Sequence, residues 1–263
     1  MRTPLAAAPA SANAGAFGIA GTPLHAWQAS QALAAVPPIS LAELIPSQSR
    51  VIVVAPHPDD ENLGCGGLLA GVAERNHKLT VVAVTDGEGS HPQSPLWSAD
   101  RLRATRRQES RNAMARLGFA DAQVDWQHLA LPDGQVAAHL DRLRRYLDAL
   151  LRPGDRVLST WRRDGHCDHE AVGAATAECA RRAQAQLIEV PVWAWHWAAP
   201  EDSRLPWSRA RKLPLSEAQL ARKTCAAQAH RSQLQPDPST GAPPVLAAAT
   251  LARLLQPFEL VFL

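Results

Sequence analysis

The chain has 263 residues, of which 46% are hydrophobic and 20% charged, and its formal net charge is +2. That composition belongs to a globular α/β protein, and a core of this size needs no disulfide staples. It excludes a nucleic-acid partner, because no dense Lys/Arg block stands against the near-neutral balance. No run approaches the roughly 20 apolar residues of a membrane span. Cys65, Cys167, Cys179 and Cys225 show neither CxxC nor zinc-ribbon spacing, which fits a reducing, cytoplasmic setting.

In chain order, Met1 to Gly21 is rich in Ala, Gly, Ser and Pro and reads as a mobile arm, too weakly apolar for a signal peptide. Thr22-Pro23 and Ser40 to Glu43 read as helix starts, the first with Pro at N1 and the second with capping-box spacing. Residues 1–45 are therefore expected as an arm with short helices, and 46–263 as one domain. Val51 to Ala55 is a continuous β-branched run, as in a strand buried on both faces. Gly66 to Glu74 reads as a helix, Leu79 to Val84 as a second buried strand, and Ala99 to Leu117 as a long helix closed by Gly118. Val136 to Leu151 is amphipathic, Val157 to Thr160 a short strand and Asp168 to Ala183 a helix. Leu187 to Trp193 is strand-like, with Pro191 suggesting an edge; Leu215 to Ser232 reads as a helix and Phe258 to Leu263 as a closing strand. Strands alternating with helices predict an α/β fold, a mostly parallel sheet with helices on both faces.

Two clusters carry chemistry. His57, Asp59 and Asp60 sit where the first strand hands over to a helix, in the run Pro56-His-Pro-Asp-Asp-Glu61. Ionisable groups packed there favour a divalent cation among them, with one carboxylate left as a base; the alternative is a polar turn capping the helix. Asp164-Gly-His-Cys-Asp-His169 follows the strand ending at Thr160. Ligand crevices of open α/β sheets lie outside the carboxyl ends of the strands, so both clusters belong to one edge. His57, Asp60 and His169 then form a two-His, one-carboxylate set with a position open, as in catalytic rather than structural zinc sites. Such donors suit Zn2+ and also Fe2+.

These motifs resemble the LmbE-like, or PIG-L-type, zinc de-N-acetylases. Supporting matches are Thr85-Asp-Gly-Glu88, Arg106-Arg-Gln-Glu109 with Leu117-Gly118, Leu131-Pro-Asp-Gly134, and Lys223, Ala226 and His230-Arg-Ser-Gln233. Cys167 departs from the family's usual Pro. The resemblance implies a Rossmann-like fold and removal of an N-acyl group, expected to be N-acetyl, from a small amino-sugar conjugate. It implies that His57, Asp60 and His169 hold zinc, that Asp59 is the general base, that His166 stabilises the oxyanion and protonates the leaving amine, and that Asp168 orients His166. Arg106 is the family's substrate-contacting arginine, although among Arg101, Arg103, Arg107 and Arg111 it also reads as part of a solvated face. Alternatives are an amidase for a non-sugar amide and a non-catalytic binder of the same fold.

Weaker candidates for substrate contact are Trp97, Trp195 and His230. Trp193, Trp195 and Trp197 alternate at strand spacing, which suits either a half-buried strand or a sugar-stacking wall. The stretch Glu88 to Pro95 with Trp97 reads as a lid. A dinucleotide site at Gly64-Cys-Gly-Gly67 is rejected because Leu69 stands where GxGxxG needs glycine.

Overall fold

A computed structural model describes residues 21–263; apart from Gly21, the expected arm lies outside the described residues. Three short helices, α1 (Leu24–Gln28), α2 (Gln31–Ala35) and α3 (Leu41–Leu44), lead into β1 (Val51–Ala55) and α4 (Asp60–Glu74). Then come β2 (Leu79–Ala83), α5 (Ala99–Leu117), β3 (Val124–His128), α6 (Leu140–Leu150), β4 (Arg156–Thr160), α7 (Cys167–Ala183) and β5 (Gln186–Val190). The chain closes with α8 (Ala194–Trp197), β6 (Ala210–Pro214), α9 (Glu217–Ala227), α10 (Arg231–Leu234), α11 (Ala248–Leu254) and β7 (Phe258–Phe262).

The strands form one sheet in the order β3-β2-β1-β4-β5-β7-β6. The first five are mutually parallel, and β7 runs antiparallel to both β5 and β6. The continuous apolar run of β1 is explained by its two covered faces. Val51, Val53 and Ala55 pack under Leu68, Leu69 and Met114, while Ile52 and Val54 point to the opposite face against Leu143, Leu147 and Val172. The chain leaves β1 towards β2 on one side and returns to β4 on the other. That reversal opens a crevice at the carboxyl ends of β1 and β4, which pair directly.

Several expectations are corrected. The helix after β1 begins at Asp60, not Gly66, and kinks at Cys65, where φ is −142°. After the kink the Glu259 carboxylate accepts the N–H groups of Gly67 (2.7 Å) and Leu68 (2.8 Å), capping the helix anew, and the buried Lys223 ammonium donates to it at 2.8 Å. Pro23 is at N-cap rather than N1, and the Thr22 hydroxyl donates to the Ala198 carbonyl instead of capping. The box at Ser40 and Glu43 forms as expected. β5 ends at Val190 before Pro191 and lies inside the sheet, not at an edge. The tryptophans beyond it fall in a helical turn, α8, not a strand. The single helix expected over Leu215 to Ser232 is broken between α9 and α10. β3 and β6, the two edge strands, were not expected: Asp125, Gln127, Arg211 and Lys212 interrupt their apolar runs.

No helix among the described residues is long and apolar enough to cross a membrane, and all four cysteines are free.

Candidate metal centre

The loop from β1 into α4 carries His57, Asp59 and Asp60; the loop from β4 into α7 carries Asp164, His166, Asp168 and His169. Pairing of β1 with β4 brings the loops together. The Asp60 Oδ2 atom lies 3.2 Å from His57 Nδ1 and 3.3 Å from His169 Nε2. His57, His166 and His169 each bring a ring nitrogen within 4.8 Å of the others.

The other nitrogen of each bracketing imidazole meets a carboxylate. His169 Nδ1 is 2.7 Å from Asp164 Oδ2. Asp164 is fully buried and accepts backbone N–H bonds from Val192, Trp193 and Ala194. His57 Nε2 is 3.2 Å from Asp133 Oδ1 and 3.3 Å from Asp168 Oδ2, and Asp168 in turn accepts the N–H groups of Gly134 and Val136. A carboxylate on one ring nitrogen fixes the tautomer and leaves the other nitrogen's lone pair for a cation.

Electrostatics agree with that fit. Burial opposes protonation of His57, but Asp133, Asp168 and Asp60 outweigh it and hold the ring well above the ordinary histidine value. Burial also opposes charge on His169, yet Asp60 and Asp164 raise it to about 9. Burial pushes Asp60 up, and His169 and His57 reverse the effect, keeping its carboxyl well below the usual range. These carboxylates call for positive charge between them, which a divalent cation supplies on displacing the protons. Asp164→Asn is expected to weaken metal binding about 10- to 100-fold by competition with a chelating dye; unchanged affinity would remove Asp164 from the ligand support.

Asp59 has φ +147° and ψ −26°, an uncommon conformation for a residue with a side chain. Its surroundings hold it there: its N–H donates to Glu61, its carbonyl accepts from Asn62 and Leu63, and Arg106 donates to its Oδ2 at 3.1 Å. Arg106 also donates to the carbonyls of Gly87 and Pro58, both at 2.9 Å. This buried clamp replaces the solvated-face reading. It explains Gly87, which has φ +68° and where a Cβ would overlap the guanidinium. Burial pushes Asp59 up to about 7, against the pull of Arg106, with Asp60 and Glu61 adding to the rise.

A cleft of about 560 Å³ opens over these groups. His57, Asp59, Asp60, Arg106, His166 and His169 line it. The expected substrate contacts fare differently. Trp195 is buried in an apolar cluster, edge-on to Trp27 at 4.9 Å, and it is Trp193 that borders the cleft. His230 is fully buried, with neither ring nitrogen partnered among the described residues, and burial together with Arg106 pushes it down to about 3. Trp97 lies outside the lining, under the Arg101 guanidinium at 4.6 Å, although Gly89 and Ser90 of the expected lid do line the cleft. The Asp168 carboxylate meets His57 rather than His166; only its backbone N–H reaches His166, at Nδ1, 3.2 Å. Sequence reasoning gave no role to Asp133, Asp164 and Gln233, although all three stood inside quoted motifs, and it missed Val245 and Leu246 on the cleft wall.

Fold and site together define a mostly parallel α/β protein with a His/carboxylate group able to bind a metal at its switch point. The chain belongs to the PIG-L family: the GlcNAc-PI de-N-acetylase profile matches residues 52–180. It is 31% identical over 143 residues to the uncharacterized deacetylase YaiS of Escherichia coli (strain K12), covering 50% of this chain and 68% of that one. It is 30% identical over 135 residues to a probable N-acetyl-alpha-D-glucosaminyl L-malate deacetylase 2 of Bacillus anthracis, covering 50% and 59%. The chain matches between 51 and 62% of the length of the first curated relatives. The zinc-inhibited form of teicoplanin deacetylase Orf2 shares the fold, with TM-score 0.58, 19% identity and coverage of 81% and 97%.

Proposed function

We propose that this chain is a metal-dependent N-deacetylase that hydrolyses an N-acyl group, N-acetyl in the first instance, from an amino sugar or sugar conjugate. The observation that carries the reading is the pair of imidazoles, each held at one nitrogen by a carboxylate and presenting the other to Asp60. His57, Asp60 and His169 would hold the cation, Zn2+ by family and Fe2+ by the same donor chemistry. When bound, the ion supplies Lewis acidity, favouring hydroxide at neutral pH and drawing charge from the acyl oxygen.

The chain's own groups do the rest. Asp59, raised to about 7 by burial, is matched to accept a proton from the attacking water and to pass it to the departing nitrogen as the C–N bond breaks. Burial, with His169 and His57 alongside, pushes His166 down to about 3, so it is neutral at physiological pH. Its Nδ1 accepts the Asp168 N–H, so the ring proton sits on Nε2 and can be donated to the developing oxyanion. That assigns amine protonation to Asp59 rather than His166. Asp168 acts by holding His57, and Arg106 by fixing Asp59 and the loop.

Mass spectrometry of products from a panel of N-acyl amino sugars and non-sugar amides tests the reading. Free amine is expected from the amino sugars, with activity lost in chelator and restored by added zinc. Turnover unaffected by chelation would remove the metal; release from non-sugar amides alone would remove the sugar.

A further inference from the structure

Beyond the groups that would do chemistry, the cleft is lined by apolar and uncharged polar side chains. Leu63, Val192, Trp193, Val245 and Leu246 are its apolar members, and Leu63, Val192 and Leu246 share one apolar cluster. Val245 is 48% exposed and is the single large hydrophobic left exposed among the described residues. The ring of Trp193 is stacked on His196 at 4.7 Å, and its indole Nε1 is shielded without an acceptor among the described residues. The uncharged polar lining residues are Ser90, Gln135 and Gln233, the last adjoining Leu246, whose N–H its carbonyl accepts at 2.9 Å.

The one arginine or lysine among the described lining residues is Arg106, already committed to Gly87, Pro58 and Asp59. The carboxylates of Asp59, Asp60 and Asp133 line the same cleft, with Asp168 against His57, so the lining is acidic rather than basic. An anionic substituent on the aglycone meets no uncommitted Arg or Lys among the described lining residues, whereas Asp133 is among them; like charges so placed are disfavoured. Anionic conjugates are ordinarily met by arginine forks or helix N-termini, and the N-terminus of α7, which reaches the cleft at His166 and Cys167, already carries Asp168 and Glu170 in its first turn. At about 560 Å³ the cleft is in the range of drug-sized ligand sites and exceeds a single acetamido sugar.

From this we infer that the substrate is an N-acyl amino-sugar conjugate bearing no anionic group, whose aglycone lays an apolar or aromatic face against Trp193, Val245 and Leu246. The inference rests on the deacetylase reading and sharpens it. It distinguishes this chain's substrate from acidic conjugates by charge and from a free sugar by the apolar wall.

The test uses zinc-loaded full chain and three glycosides of N-acetylglucosamine: p-tolyl, 4-carboxyphenyl and methyl. The first two are of matched shape and differ in charge. Expected is kcat/KM about tenfold higher for p-tolyl than for 4-carboxyphenyl, equivalent to about 1.4 kcal/mol, and higher for p-tolyl than for methyl. Gln135→Arg, at an exposed position, should narrow the charge gap by raising the 4-carboxyphenyl rate. Val245→Ser should raise KM for the p-tolyl glycoside about threefold, and by more than it raises KM for the methyl glycoside. Equal or faster turnover of the 4-carboxyphenyl glycoside overturns the inference, as does indifference of the p-tolyl KM to Val245→Ser. If none of the three loses acetate, the deacetylase reading fails separately, and calorimetric binding of the same three glycosides still decides the charge preference.

Discussion

Asp59→Asn is expected to lower turnover by about a hundred- to ten-thousand-fold, the range typical of removing a general base, while leaving metal content unchanged. The expectation follows from what the substitution keeps and what it removes. Asn has the same shape, and its side-chain oxygen can still accept from Arg106, which now donates to Asp59 Oδ2 at 3.1 Å. Asn also shares the backbone preferences of the Asp it replaces, so the strained loop is disturbed little. The cation's proposed holders, His57, Asp60 and His169, are untouched. What disappears is a carboxylate that burial has tuned to about 7, able both to take a proton from water and to return it to the amine. The paired measurement is kcat on an N-acetyl amino sugar against metal content by mass spectrometry. Unchanged turnover sinks the base assignment. Lost metal would instead make Asp59 part of the cation's support.

The His/Asp cluster was legible in the sequence because its members lie in two short runs directly after buried strands, and local order there becomes spatial order. β1 announced itself by five apolar residues in succession, and α7 by its helical stretch. Family resemblance then supplied roles that residue types alone leave open, as between Asp59 and Asp60. Beyond those runs legibility fell with distance from the backbone pattern. Trp193 and Trp195 share the spacing of a strand face, but a helical turn sends one to the cleft and the other into the core against Trp27. Asp168 was expected on its near neighbour His166, yet its carboxylate reaches across to His57, 111 positions away. Asp133 approaches the same ring from a third loop. Edge strands escaped because a strand paired on one side carries polar residues that a two-sided strand cannot.

Glu259→Ala is expected to cost about 3–5 kcal/mol of stability, the range for breaking a buried ion pair by removing one partner. Glu259 is 3% exposed and Lys223 1%, so solvent cannot replace what is lost. Truncation leaves the Lys223 ammonium buried without its carboxylate and strips the acceptor from Gly67 and Leu68 N–H, where α4 restarts after its kink. Replacing the pair together, as Lys223→Met with Glu259→Leu, should be milder, because no uncompensated charge remains, although the two helix N–H groups still lose their acceptor. Urea unfolding of the single and double variants measures the difference. A loss under about 1 kcal/mol for Glu259→Ala would mean that the helix restarts without its borrowed cap. The result bears on the site as well as the core, since Asp60 opens the same helix one kink away. If Glu259 fixes the direction in which α4 resumes, the folded fraction of Glu259→Ala should bind metal more weakly, whereas a purely structural pair would lower stability and leave that affinity alone.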